Sequence, residues 1–599
     1  LDQGKTQTSA NSIRKFFVFK GYWDTDVKFS HDLDSASKKA EVNYLITHKD
    51  PTYISDYYYN IPDPAIKNIY EEDLSKSLVK GKQILDQTSL ENEVKRINEL
   101  VKDRGYYKFN TSNEEIYFTA DTLQSRKQVP LTMDIHSDSL DTPYRITTIG
   151  DIKVHYVEKL ADTIDTVKVS LWRPIILETG EVYQQRNLDL SKRNIASMNN
   201  FNVLKYNETL RKGNDSILDV SYYLAPLSKY DFKVATDLNY SQILNFGVSP
   251  SVDLTTRNVF GGAENLTTSV SGIFGSVVNT KDDTKRSLAY EISTQASLNF
   301  PRLLLPFKSW KLIPKRYSPT SSIVLGASVQ DNIGLGRIGF NAGLNYFANV
   351  NDIVSHRLTL FNSQLSLTRN KDRYYDFFPN DRLAVDNVHQ IYFQSHPELQ
   401  TQLNNGEITY DQVSQVINQD LNFQTNLTPE QQNQYSTFIQ SLINKDRQTQ
   451  DVLISSLIYN FIYNEIGKKD RPNPFYFNAK FESAGNIFSI FNSTEKEIGV
   501  VSGTSKKIFD IPYSQFVKFD FDVRKYFTFF NNKHTLALRQ FVGIGIPYGN
   551  SSTMPFVRSY FNGGSNDIRA WRVFGGLGPS DSQLDEKVRS YIMDNVKLT

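Results

Sequence analysis

The chain has 599 residues, 67 basic and 66 acidic side chains for a net charge of +1, and no cysteine. That length predicts several folded units. The charge balance argues against a protein held to nucleic acid by electrostatics, and the missing cysteines remove disulfides, zinc-thiolate centres and thiol catalysis. Aromatic side chains are abundant, with 34 Tyr and 38 Phe, yet mean hydropathy is −0.44 and no run approaches the roughly 18 apolar residues of a membrane helix. A membrane β-barrel stays open, because its strands alternate lipid-facing and lumen-facing side chains and average to an ordinary hydropathy.

The first segment, "LDQGKTQTSA", has no initiator Met and no signal peptide, and reads as a processed or trimmed start. From there to about residue 230 a loose repeat recurs in "SIRKFFVFKGYWDTDVKF" (12–29), "EVKRINELVKDRGYYKF" (93–109) and "LSKRNIASMNNFNVLKY" (190–206). The first two copies run from a helical stretch through Gly and two aromatics into a β-like run; the third puts Asn199, Asn200 and Phe201 at that point. Val94, Ile97 and Val101 share one helix face at i, i+3 and i+7, and Gly105 supplies a left-handed stop. These features predict small α+β modules in a row: a partial one over 1–50, a second over 51–141 and a last over 142–230.

From about 231 the period changes to two. In "AYEISTQASLNF" Tyr290, Ile292, Ala296, Leu298 and Phe300 share one face and Glu291, Ser293, Gln295, Ser297 and Asn299 the other. "VKFDFDVR" sets Val517, Phe519, Phe521 and Val523 against Lys518, Asp520, Asp522 and Arg524. Similar runs begin near 232, 247, 266, 321, 337, 355, 450, 474 and 534, giving about eleven strands and the start of a twelfth. A soluble β-sandwich also alternates. Runs of roughly 10 to 14 residues, against the usual soluble 5 to 6, together with aromatics at strand ends and unequal loops, favour a transmembrane antiparallel β-barrel over 231–599. Loop parity places 278–287, about 371–449, 488–513 and 549–592 on one side, with a tight turn at 531–533 on the other. The stretch 301–320 is long on the side of the short turns. Helical patterns such as "PEQQNQYSTFIQSLI" mark 371–449 as a Gln- and Asn-rich insertion, a surface cap, a partner site or a plain loop.

Site chemistry is sparse. No H-E-x-x-H pattern occurs, and His389 and His396, seven apart in the polar insertion, are expected to be solvated. "GGSND" (563–567) has Asp567 where a nucleophile elbow needs its second Gly. "FGGLGP" lacks the Lys-Ser/Thr end of a phosphate loop. No catalytic residue, metal or cofactor is expected, and the chain does not read as an enzyme.

The segment "LETGEVYQQRNLDLSKRNIASMNNFNVLKYNETLRKGNDSILDVSYYLAPLSKY" (177–230) resembles the last POTRA module of the BamA/TamA superfamily of outer-membrane assembly proteins, with "NNF" after the helix and Leu218, Asp219 and Val220 in the closing strand. "NFGVSPSVDLTTRNVFGGAENLTTSVSG" is similar to that family's first barrel hairpins. "YFNGGSNDIRAWRVFGGLGP" (560–579) is similar to its sixth-loop signature, with Ile568, Arg569, Ala570 and Trp571 in the [VI]-R-G-[FYW] positions and Ala570 replacing Gly. "FPRLLLPFK" and "GIGIPYGNSSTMPFVRSYFNGGSN" look like the TamA-like lipoprotein (TamL) branch, although the lipid-bearing Cys of that branch is absent from this sequence.

The resemblance implies α+β POTRA modules ahead of a barrel of about sixteen strands, the closing strands lying past Thr599. It implies a non-enzymatic insertase in the Gram-negative outer membrane, its modules in the periplasm. Unfolded outer-membrane protein clients would pair with a seam strand bearing Phe232, Val234, Thr236, Leu238 and Tyr240. A TamB-like periplasm-spanning protein or accessory lipoproteins are further expected partners, alongside outer-membrane lipid. Arg569 would reach into the lumen to a carboxylate beyond residue 599, Gly563 and Gly564 turning the backbone and Trp571 packing on the wall. A dedicated translocation pore for one secreted or surface-exposed partner, and a porin or receptor barrel, are the rival readings.

Overall fold

The computed structural model describes residues 2–560 apart from 35–38, 110–114, 136–143, 158–174, 240–245, 280–281, 306–312, 333–334, 469–470, 472, 491–493, 498–503 and 530–533. Two compact units divide between Pro226 and Leu227.

The first unit is built from repeated modules. Three of its helices start at side-chain caps. Asp2, Asp63 and Asp86 accept backbone N–H groups at the starts of α1 (Gln3–Phe19), α2 (Pro64–Glu72) and α3 (Gln87–Lys102), and Pro64 sits where an N–H would have no helical partner. The leading module joins α1 to an antiparallel pair, β1 (Thr25–Asp34) and β2 (Lys39–His48). In the second, β3 (Tyr53–Asn60) precedes α2 and α3, and β4 (Ile116–Ala120) and β5 (Gln128–Ile135) follow. The third repeats the plan with β6 (Thr148–Tyr156), α4 (Gln185–Ser197), β7 (Phe201–Arg211) and β8 (Asn214–Pro226). Both complete modules have their first strand parallel to their last, in the orders β3-β5-β4 and β6-β8-β7. The expected helix face is buried: Ile97 and Val101 join Ile66, Tyr70, Phe109 and Met133 in one core, with Val94 at its margin.

All three copies of the helix stop take a positive φ, +90° at Gly21, +105° at Gly105 and +53° at Asn199. Asn is among the few side chains that enter this region readily. The first two stops also join modules. Thr52 donates its N–H to the Gly21 carbonyl at 2.8 Å and accepts from Leu85, while Thr147 donates to Gly105 at 2.9 Å and accepts from Tyr183. A β-carbon on Gly21 would stand 2.7 Å from Ile84 Cγ2, and one on Gly105 2.7 Å from Val182 Cγ1.

In the second unit the period-two runs become one antiparallel sheet. Its strands in order are β9 (Tyr230–Asn239), β10 (Phe246–Thr256), β11 (Asn265–Asn279), β12 (Asp282–Phe300), β13 (Thr320–Asn332), β14 (Leu335–Asn349) and β15 (Val354–Arg369). Helices α5 (Tyr374–Phe377), α6 (Pro379–Phe393), α7 (Pro397–Asn404), α8 (Tyr410–Gln419), α9 (Leu421–Thr425) and α10 (Pro429–Thr449) intervene. The sheet resumes with β16 (Val452–Asn464) and β17 (Phe475–Ala484). A small sheet of β18 (Thr494–Glu497), β19 (Thr504–Ile508) and β20 (Ile511–Pro512) precedes β21 (Phe516–Phe529) and β22 (His534–Pro547). Among the described residues the large sheet has 11 strands, each beside its sequence neighbour in the sheet, with β9 and β22 at its edges, and these strands do not close on one another.

The faces of this sheet are inverted relative to a soluble protein. Register pairs Glu482 with Lys518, Lys480 with Asp520 and Asn478 with Asp522 on one face, and Phe481 with Phe519 and Ala479 with Phe521 on the other. Glu482 is 1% exposed, whereas Ile544 on the apolar face is 51% exposed and Val542 and Ile546 match it. Charged groups turned in and aliphatic groups turned out is the pattern of a sheet whose outer solvent is lipid.

Two expectations are corrected. Residues 278–287 are not a long loop: β11 runs to Asn279, β12 starts at Asp282, and Val278 pairs with Arg286 across an irregularity. A ladder needs only backbone groups, so the polar "DDTKR" (282–286) can lie in a strand. His389 is not solvated but 2% exposed, packed among Tyr410, Phe393 and Phe438. Its Nε2 lies 2.9 Å from the Ser414 hydroxyl. The helices of 371–449 bury enough apolar surface, including Tyr374, Val388, Ile417 and Leu442, to form a core of their own. His396 stacks on Tyr392 at 4.2 Å.

Candidate functional site

The first candidate is the sheet edge. β9 pairs with β10 from Tyr230↔Thr256 to Asn239↔Gly247, and its other side carries no strand among the described residues. Phe232, Val234 and Leu238 are 66%, 62% and 70% exposed, and Thr236 lies between them on the same face. Tyr240 lies outside the described residues. Such an edge presents unpaired N–H and C=O groups flanked by apolar side chains, a surface most proteins suppress because it recruits further strands.

The foot of this strand is fixed. Arg257 is 8% exposed; it donates to Asp231 Oδ2 at 2.6 Å and to the Ser228 carbonyl at 2.8 Å, and its backbone N–H reaches the Lys229 carbonyl. Higher up, β10 is joined less completely to β11. Pairing runs from Phe246 to Val248 and resumes at Ser251, skipping Ser249 and Pro250. Proline has no N–H to donate to a ladder. The first hairpin is thus clamped at its foot and interrupted in its middle.

The second candidate is the polar face of β16, β17, β21 and β22, where the segment after β22 folds back. Tyr548 N–H donates to the Gln515 carbonyl at 3.1 Å. Asn550 then links three strands of chain: its Oδ1 accepts from Lys506 N–H at 2.6 Å, its Nδ2 donates to the Lys506 and Tyr513 carbonyls, and its own N–H donates to Gln515 Oε1. Met554 and Val557 pack against buried Ile454, Ala484 and Phe516. Arg558 Nε lies 3.4 Å from Glu482 Oε1, and Lys518 Nζ donates to the Arg558 carbonyl at 3.1 Å. The Tyr560 hydroxyl donates to Asp520, with Lys518 Nζ 4.0 Å from the ring centroid. Gly543 and Gly545 leave the room: a β-carbon at Gly545 would meet Met554 at 3.0 Å, and one at Gly543 would collide with the Tyr560 ring.

The structure therefore locates Phe232, Val234, Thr236 and Leu238 on one exposed strand. Gly563, Gly564, Ile568, Arg569, Ala570 and Trp571 lie outside the described residues. Sequence reasoning missed Arg257, Asn550, Glu482, Asp520 and Tyr560. One signal was available: "VGIGIP" puts glycines at alternate positions on the polar face, which marks a place where another chain segment comes close.

Residues 258–595 match the model of the Omp85 superfamily domain. Among solved structures, BamA from Haemophilus ducreyi lacking POTRA domains 1–3 is similar at 13% identity and a TM-score of 0.42, over 88% of this chain and 76% of that one. CdiB from Escherichia coli is similar at 11% identity and a TM-score of 0.37, over 95% and 78%. BamA POTRA3–5 from Haemophilus influenzae matches 37% of this chain and 80% of its own, at 13% identity and a TM-score of 0.26. No curated protein matches the chain.

Proposed function

The chain belongs to the Omp85 superfamily, and from that premise we propose that it is an outer-membrane assembly factor that receives client β-strands through its periplasmic modules and inserts them at a barrel seam. The observation that carries this reading is β9: an apolar-flanked strand with an open edge, at the end of a sheet whose outer face is already suited to lipid. An incoming strand would satisfy its backbone on that edge and bury alternate side chains in lipid, so hydrogen bonding and apolar burial both favour insertion without a nucleotide. No step needs a nucleophile, metal or cofactor, and the function is non-enzymatic.

The outer strands β4 and β7 carry no further strand on their outer sides among the described residues and suit capture of extended client segments by the same backbone logic, whereas β3 and β6 are partly covered by bridges from Tyr53 to Ile84 and from Thr148 to Val182. Unfolded barrel proteins are the proposed clients, and a TamB-like periplasmic protein or accessory lipoproteins are proposed partners of the modules. We place the chain in the TamL branch on "FPRLLLPFK" and the stretch around Arg569.

Depletion tests the reading. Loss of many unrelated barrel proteins from the outer membrane is expected; loss of one exported protein alone would instead assign a dedicated translocation pore.

A further inference from the structure

We propose that Asp237 is a specificity-determining residue of the open strand edge, favouring client strands that place a Lys or Arg directly across from it. The inference rests on the assembly reading and adds to it a rule for which clients are taken fastest.

The polar face of β9 carries Asp231, Lys233, Ala235 and Asp237 in alternation, on the side away from Phe232, Val234 and Leu238. Two of these charges already have a counter-charge. Asp231 accepts from Arg257 at 2.6 Å, and Lys233 stands directly across from Asp253 on β10. Asp237 is exposed and stands across from Ser249, which carries no charge. Lys233, the cation nearest to it along the strand, is four residues away, roughly 13 Å.

The same register is where the edge is least tied to the sheet. Ser249 and Pro250 are the residues at which β10 leaves its ladder with β11, so behind Asp237 the edge is backed by one paired strand and not two. An incoming strand that pairs with β9 places directly opposed side chains on the same face, whichever direction it runs. The client residue in register with Asp237 is therefore turned to the polar side, while its neighbours before and after join the lipid side. Unlike charges directly opposed stabilise a strand pair and like charges destabilise it. A cation at that position is favoured, a carboxylate disfavoured, and a neutral residue falls between. Because Asp231 and Lys233 are compensated within the hairpin, the preference concerns one position and not basic strands in general.

The test follows assembly of a small barrel client into phosphatidylcholine vesicles containing the whole protein, with one Lys moved in turn through the polar-face positions of the client's pairing strand. Heat-resistant client on gels reports the rate, and the same gel mobility shows that each variant of the protein is itself a folded barrel. With the unmodified protein, one Lys position is expected to assemble about threefold faster than the others, and Glu there to be slowest. Asp237→Asn should flatten the profile. Asp237→Lys should invert it, making Glu at the same position the fastest. Asp253→Asn uncovers Lys233 and should add a preference for Glu four residues from the first position. A profile that is flat in the unmodified protein, or that keeps its Lys peak in Asp237→Asn and Asp237→Lys, overturns the inference and leaves the assembly reading standing. If no client assembles, the assembly reading falls and this inference with it. A photo-reactive residue in place of Asp237 that cross-links only to this chain, and never to a client, also overturns it.

Discussion

Arg257 reaches Asp231 Oδ2 at 2.6 Å across the foot of the exposed edge strand, and the same guanidinium holds the Ser228 carbonyl at 2.8 Å. One side chain thereby fixes where β9 begins. Arg257→Ala removes both bonds and, because the Asp231 carboxylate is exposed and can turn to water, is expected to cost about 1 kcal/mol locally. Hydrogen exchange should quicken at residues 228–234 while β13 to β16 stay protected; uniform protection across the sheet would remove the clamp from the account.

Pro250 makes the opposite prediction. It leaves a gap in the ladder between β10 and β11, so Pro250→Thr supplies a donor and is expected to add about 1 kcal/mol to that pairing. If the first hairpin must move for a client to enter, client assembly should slow by a factor of about five. Measured assembly rates that are unchanged or faster would show that the hairpin does not move about this point.

The module junctions separate strain from crowding. Gly105 has φ +105° and a neighbour 2.7 Å from any added β-carbon, while Gly180 has φ +88° and nothing within 4 Å. Gly180→Ala should cost about 1 kcal/mol from backbone strain alone, and Gly105→Ala about 2–4 kcal/mol because the Val182 contact is added. Urea unfolding followed by near-ultraviolet circular dichroism distinguishes them, and equal losses would argue that the junction is soft.

His389 predicts a pH dependence in the helical insertion. Burial lowers its pKa from 6.5 to about 4. The folded state therefore favours the neutral ring, while the unfolded state takes up a proton at higher pH. Stability should be full above about pH 6.5 and fall as pH drops toward 4, by roughly 3 kcal/mol in all. His389→Asn should flatten that slope in thermal melts monitored on the insertion; a slope retained in the variant would assign it to other groups.

Alternation revealed most of the architecture, because a sheet that faces lipid on one side must alternate over its whole length. Each run beginning near 232, 247, 266, 321, 337, 355, 450, 474 and 534 lies within a few residues of a strand start. It failed where side chains stop mattering: the 278–287 hairpin is held by backbone pairing and carries no apolar face to betray it. The helix stop was legible at Gly105, and Gly21 and Asn199 at the matching places of the other two copies share its positive φ. The site was less legible. The apolar face of β9 could be read from Phe232, Val234 and Leu238. Its openness was expected from the family resemblance alone, since an unpaired edge is a property of topology and not of composition. Contacts such as Arg558 with Glu482 join residues distant in sequence and have no local pattern.

Trapping a client on β9 tests the central claim most directly. A photo-reactive residue in place of Thr236, in the middle of the exposed edge, should form adducts with the strands of several unrelated barrel proteins arrested during assembly, and the same probe at Leu457 on β16 should not. Adducts with a single exported protein, or none at Thr236 while assembly proceeds, would contradict templating on this strand.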